Sequence, residues 1–179
     1  MKPTVFFLAI LLLPILAFSQ SYSNTFSVQG GIFGEGYGGE ITYNTNFSEN
    51  TFAQIGVEVA VANFMAGETS LPYSSFTASG QYFFTVYSRN RRMQALSIGG
   101  GAVAGYELAN NGEEAISNVV FVDGQSKFIY GGVATIDLDI IVSEHISLVV
   151  KSSQFYHVNS DFGKLTNFSG VGLRYYFNL

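Results

Sequence analysis

The tightest constraint on this chain is the alternation of its last segment. From Phe168 to Leu179, Val171, Leu173, Tyr175 and Phe177 fall on one side, and Gly170, Gly172, Arg174 and Tyr176 on the other. Successive side chains of a strand point to opposite faces, so a strand here has one apolar face and one mixed face. A last strand of this kind, closing on aromatics, is what a transmembrane β-barrel requires: one face for lipid, the other for the lumen. That reading places the chain in an outer membrane and sets most soluble functions aside.

The start of the chain agrees. Lys2 is positive, Val5 to Phe18 is an apolar run broken only by Pro14, and Ala17, Phe18 and Ser19 make a small-x-small cleavage site. This reads as a signal peptide over residues 1–19, with the barrel from 20 to 179 and the mature chain beginning at about Gln20. The apolar run is too short for a membrane helix, which needs roughly 20 residues. With no cysteine there is no lipid-attachment site, disulfide framework or thiolate metal site.

Composition fits one small barrel. The chain holds 20 Gly, 17 Phe and 11 Tyr but only 12% charged residues, too apolar and aromatic for disorder. Alternating strands reconcile this content with the lack of a long apolar run after residue 19. The net charge of −5 argues against a dedicated nucleic-acid surface, which would be basic, so no direct sequence-specific nucleic-acid binding is expected.

The pattern predicts an all-β fold of eight antiparallel strands: Thr25–Gly34, Gly38–Asn46, Phe52–Asn63, Ser75–Tyr87, Ala95–Glu107, Lys127–Val142, Ile146–His157 and the C-terminal strand. The third alternates most cleanly, with Ala53, Ile55, Val57, Val59 and Val61 set against Gln54, Gly56, Glu58, Ala60 and Ala62. Most segments suffice for a tilted crossing, about 9–11 residues. The even-numbered connections, Phe47–Thr51, Ser88–Gln94 and Ser143–His145, should be periplasmic turns. The odd ones, Glu35–Tyr37, Phe64–Ser74, Leu108–Ser126 and Val158–Thr166, should face outward. Three of these four exceed every periplasmic turn, the asymmetry expected of such barrels.

Glu40, Glu58, Asp137, Asp139, Lys151 and Arg174 all fall on inward faces. Eight strands leave an interior just wide enough for side chains, so these residues are expected to form a closed lumen network, not a channel. Gly56, Gly99, Gly101, Gly131 and Gly172 should leave room for Phe83, Phe155 and Tyr176.

Catalytic signals are weak. His157 has Ser153, Ser160 and Asp161 nearby in sequence, and His145 lies in a short turn, but nucleophilic catalysis needs geometry that spacing does not supply. Gly99, Gly100 and Gly101 lack the ending of a phosphate loop and read as strand glycines. No catalytic, cofactor-binding or metal-binding residue is assigned, and a non-enzymatic protein is expected. Arg89, Arg91 and Arg92 form the one basic cluster, a candidate partner contact in a solvated turn. The 108–126 connection is the candidate outer recognition loop, with Val119 to Val122 expected either to form a small apolar patch or to extend a hairpin beyond the membrane.

From Phe76 onward the chain carries an ordered set of motifs. These are Phe76-Thr77-Ala78 with Gly80 and Tyr82, Ala104-Gly105-Tyr106-Glu107, Phe128-Ile129-Tyr130-Gly131-Gly132, Gly163-Lys164, and Gly170-Val171-Gly172. In order and spacing the chain resembles the TraO family of conjugal transfer proteins of conjugative transposons. The N-terminal third matches mainly in pattern. The resemblance implies a component of the type IV secretion-like apparatus that moves single-stranded DNA between cells. Other conjugative transfer proteins and outer-membrane lipid would be its partners. The matching residues are strand and turn residues, so no active site is carried over. A filled, acidic lumen suits an accessory or scaffold role better than a DNA conduit. The alternatives are a general small barrel for adhesion or membrane integrity, with its activity in the outer loops, and a lipid-modifying enzyme built on His157.

Overall fold

The computed structural model describes residues 24–66, 69–89, 93–109, 115–117, 120–121, 126–161 and 163–177. The expected signal segment lies outside them. Ten strands run in chain order: β1 (Thr25–Phe33), β2 (Gly36–Ser48), β3 (Thr51–Ala66), β4 (Thr69–Arg89), β5 (Gln94–Ala109), β6 (Ala115–Ser117), β7 (Val120–Phe121), β8 (Lys127–Ser143), β9 (Ile146–His157) and β10 (Leu165–Tyr176). Eight of them close a barrel in the order β1-β10-β9-β8-β5-β4-β3-β2, and β6 and β7 pair separately within the longest connection. The barrel closes on itself, with β1 and β10 antiparallel from Thr25↔Tyr176 to Phe33↔Phe168.

Burial follows the alternation. On β9 it switches at every residue from Ile146 to His157, odd-numbered residues being buried and even-numbered ones exposed. The exposed set is the apolar one: Ile55, Val57, Val59 and Val61 point out, while Gln54, Glu58 and Lys151 are buried. This is the reverse of a soluble barrel and the arrangement a bilayer selects, because lipid takes the apolar face and the chain's polar groups turn inward. Aromatic rings gather at one end of the wall, Tyr43 against Phe177, Tyr175 against Phe177, and Tyr82 between Phe47 and Phe84. Tyr37, Phe76, Tyr106, Phe128 and Tyr130 stand exposed toward the other. Two such girdles mark the interfaces of a spanning barrel.

The end holding Thr25 and Tyr176 has the tight turns, Glu49–Asn50 and Glu144–His145. Both are shorter than the sequence suggests, because pairing runs to Ser48↔Thr51 and Ser143↔Ile146. Three register shifts lie next to the turns at this end, at Asn46/Ser48, Thr85/Tyr87 and Ile141/Ser143. Each inserts one residue and tightens the local twist. The shift on β4 leaves both Val86 and Tyr87 on the outer wall.

The other end carries the longer segments, with three corrections. The first turn is Gly34–Glu35, not Glu35–Tyr37, with Gly34 at φ 52°. That left-handed conformation favours glycine, while the next three glycines, Gly36, Gly38 and Gly39, lie in β2. Phe64–Ser74 is not a loop: β3 and β4 stay paired to Ala66↔Thr69. Pro72 is tolerated within β4 because β4 pairs with β5 only from Tyr73 onward, so on that side Pro72 lies on an edge where its missing N–H costs no ladder bond. The last strand begins at Leu165, not Phe168, because Leu165, Thr166 and Asn167 pair with Tyr156, Phe155 and Gln154.

Candidate functional site: a filled lumen

Neighbouring strands carry their even or odd residues inward in register, so the interior is built by the pairing itself. Asp137 is paired with Lys151, Lys151 with Gly170, and Glu40 with Glu58. All six expected lumen residues lie in the interior and are buried. They form two separate groups, and Glu58 belongs to neither.

In the first group Lys151 Nζ donates to both Glu40 oxygens at 2.8 Å and to Gln54 Oε1 at 2.7 Å. Gln54 Nε2 donates to Asn44 Oδ1 at 2.9 Å. Lysine's three donors are thus taken up by a carboxylate and an amide, the saturation a buried cation needs. In the second group Arg174 lays its guanidinium across two carboxylates. Nη2 reaches Asp137 Oδ2 at 2.7 Å, and Nη1 contacts Asp137 and Asp139. Tyr176 donates its hydroxyl to Asp139 Oδ2 at 2.9 Å, so it is a member of the network and not only a space-filler. Its phenol and the Asn44, Gln54, Gln81 and Thr135 side chains were legible only as polar residues of the inward face. Thr135 on β8 donates to Gln81 of β4, two strands away, at 2.7 Å and lies 2.9 Å from Ser153 Oγ on the adjacent β9. Glu58 Oε1 and Oε2 are buried without a hydrogen-bond partner among the described residues.

Toward the loop end, Phe33, Ala60, Ala62, Tyr73, Val103, Val133, Phe155 and Phe168 pack into an apolar cluster. Toward the turn end, the Phe52 and Phe83 rings stack 4.6 Å apart. The inward glycines serve two purposes. At Gly99 a methyl group would come within 2.5 Å of the Phe83 ring, so this glycine makes room for it. At Gly101, Gly131 and Gly172 the obstacle is backbone: a Cβ would lie 1.9, 1.7 and 2.1 Å from the carbonyl oxygens of Gly80, Tyr156 and Val28. These three permit close approach of adjacent strands, and a Cβ at Gly56 would meet Glu40, Ser79 and Thr42, so the sequence reading of all four as space for bulky aromatic side chains is corrected.

The residues weighed for catalysis are dispersed or otherwise engaged. Ser153 bonds Thr135 within the lumen. Ser160 donates to Glu107, 2.9 Å from each carboxylate oxygen. Asp161 pairs with Lys127 at 2.6 Å. His157 lies flat on Phe155, and its Nδ1 has no hydrogen-bond partner among the described residues. His145, in its turn, stacks on Tyr175. Asn159 accepts from Tyr130 N–H and donates to the Phe128 carbonyl, which ties the Val158–Asp161 segment to the end of β8. The segment's contacts with Glu107 and Lys127 tie it to the ends of β5 and β8, the two strands that follow β9 around the ring, and brace that side of the mouth. No group of three metal-ligating side chains occurs among the described residues. Of the basic cluster, Arg89 ends β4 and is exposed; Arg91 and Arg92 lie outside the described residues, as do most of residues 110–125.

Solved structures share this architecture at low identity. A major outer membrane protein from Thermus thermophilus superposes with TM-score 0.59 at 13% identity, over 87% of this chain and 100% of that one. Outer membrane protein OprG from Pseudomonas aeruginosa gives 0.58 at 8%, over 88% and 97%. Ail, the attachment invasion locus protein of Yersinia pestis, gives 0.53 at 11%, over 87% and 97%. These likenesses establish the fold, a closed eight-stranded antiparallel barrel of the outer-membrane type. No curated protein matches the chain in sequence. The family model described as conjugative transposon protein TraO matches residues 21–177, which takes in every strand of the barrel, and the chain belongs to that family.

Proposed function

We propose that this protein is an outer-membrane component of the conjugative transfer apparatus that acts as an anchor or scaffold for other transfer proteins. Family membership supports the conjugative context, and the outward apolar wall supports the outer membrane as its place of work. The observation that carries the scaffold role is the filled lumen. Two buried ion-pair groups and an apolar cluster occupy it, including Lys151, Arg174, Phe33 and Phe168. Single-stranded DNA is a polyanion, and this interior offers it neither width nor an excess of positive charge.

The candidate working surfaces in this reading are the basic cluster of Arg89, Arg91 and Arg92, the 108–126 connection, and the outer wall. The protein acts without catalysis in this reading, in keeping with the dispersal of its serine and histidine side chains. Affinity purification of the gently extracted protein from donor cells, with mass spectrometry of co-purifying proteins, tests the proposal. Recovery of other transfer proteins is the expected result. A solitary barrel under gentle extraction, or wide DNA-permeable channels formed by the purified protein alone, would overturn it.

A further inference from the structure

The apolar outer wall is interrupted in mid-strand at one place among the described residues, where β9 meets β10. Ser152 and Gln154 stand between Val150 and Tyr156 on β9. Asn167 and Ser169 stand between Leu165 and Val171 on β10. All four side chains are exposed on the face that elsewhere carries Ile, Val, Leu and aromatic residues. The register sets them in two rows, Ser152 opposite Ser169 and Gln154 opposite Asn167. They bond partly to one another: Ser152 Oγ lies 3.1 Å from Ser169 Oγ, and Ser169 donates to Asn167 Oδ1 at 3.0 Å. Gln154 Nε2 donates to the Thr166 carbonyl at 2.9 Å. Asn167 Nδ2 donates to the Ser153 carbonyl at 3.3 Å and to Ser152 Oγ at 3.5 Å, which takes up its two amide hydrogens. Gln154 keeps one amide hydrogen and its Oε1, Asn167 keeps acceptor capacity at Oδ1, and lipid tails supply no partner for them.

We infer that this polar patch is the contact surface of a two-fold dimer, its occupant being the same patch on a second copy of the chain. Two copies inserted in the same sense are related by an axis along the membrane normal, so each depth on the wall meets the same depth on its partner. A polar band of limited height therefore meets itself, and the apolar residues above and below it do likewise. The chemistry is self-complementary as well. Hydroxyls and carboxamides each donate and accept, and the patch has no charge to repel its copy. On the flanking strands Ala134 lies beside Gln154 and Gly30 beside Val171, small residues that permit close approach there, while Ile32 beside Ser169 and Ile136 beside Ser152 add exposed apolar flanks. This inference is independent of the conjugative role.

The chain's lack of cysteine makes the test clean. Single variants Val150→Cys and Val171→Cys, directly below the patch, would be oxidised in outer membranes with a membrane-permeant copper chelate. Val57→Cys on β3 serves as the control for the far wall. A disulfide-linked species of twice the chain mass is expected from the first two and not from the third. Adding Asn167→Leu should abolish that species while the barrel keeps its heat-modifiable mobility. If that variant does not fold, Ser169→Ala takes its place. Linkage no stronger than the Val57→Cys control would overturn the inference, as would linkage only to a protein of another mass.

Discussion

Lys151 on β9 and Glu40 on β2 stand three strands apart around the barrel and 111 residues apart in the chain, and they form a buried salt bridge of 2.8 Å across the lumen. Removing one partner leaves the other as an uncompensated buried charge. Lys151→Met should cost about 3–5 kcal/mol, and adding Glu40→Gln should restore much of it. Urea titration of the folded band in heat-modifiable electrophoresis measures both.

Arg174 spans Asp137 and Asp139 with its planar fork. Lysine keeps the charge but offers a single ammonium point, so Arg174→Lys should still destabilise the barrel, by about 1–3 kcal/mol. Equal midpoints for wild type and variant would show that charge alone suffices there.

Gly99 and Gly101 lie on the same inward face of β5 yet should respond differently to alanine. Gly99→Ala presses on the Phe83 ring and should cost about 1–3 kcal/mol, recoverable by Phe83→Leu. Gly101→Ala meets the Gly80 carbonyl, so no side-chain change should rescue it. Midpoints of the two single variants and of the rescue pair decide the matter.

The basic cluster is open to a genetic test. Replacing Arg89, Arg91 and Arg92 together by alanine should leave barrel stability unchanged. It should lower conjugation frequency by about tenfold, the equivalent of roughly 1.4 kcal/mol of lost contact. Normal transfer frequency at normal protein abundance would exclude the cluster as a partner contact.

Ion conduction is the direct readout of the filled interior. The wild-type barrel in a planar bilayer should pass little current. A variant with Phe33, Phe155 and Phe168 all changed to alanine, which removes three rings of the apolar cluster, should pass measurably more. Stable large conductance in the wild type would contradict the packing described above.

The strands and their faces were legible in the sequence because alternation is a local property. Ile55 and Glu58 declare opposite sides without reference to any other strand. Hairpin ends were less legible. Pro72 looks like a terminator until one knows that β5 has not yet joined β4 at that height. The lumen residues could be named but not paired, since the partner of Lys151 depends on how eight strands stagger around a closed ring. Nothing local distinguishes Gly99, which yields to a ring, from Gly131, which yields to a carbonyl. The polar patch on β9 and β10 was hidden for a related reason: Ser152 and Ser169 become neighbours only once the last two barrel strands pair.

The pairing of β1 with β10 also fixes when this molecule can come into being. Thr25 finds its partner in Tyr176, and the ion pairs inside the barrel join strands that leave the ribosome far apart in time. No part of the ring is finished until nearly the whole chain is present, so assembly is governed by contacts of long sequence separation, the slow kind. A chain shortened by its last strand would not be a smaller barrel. It would be an open sheet with two bare edges, β1 and β9, in a solvent that has nothing to offer them.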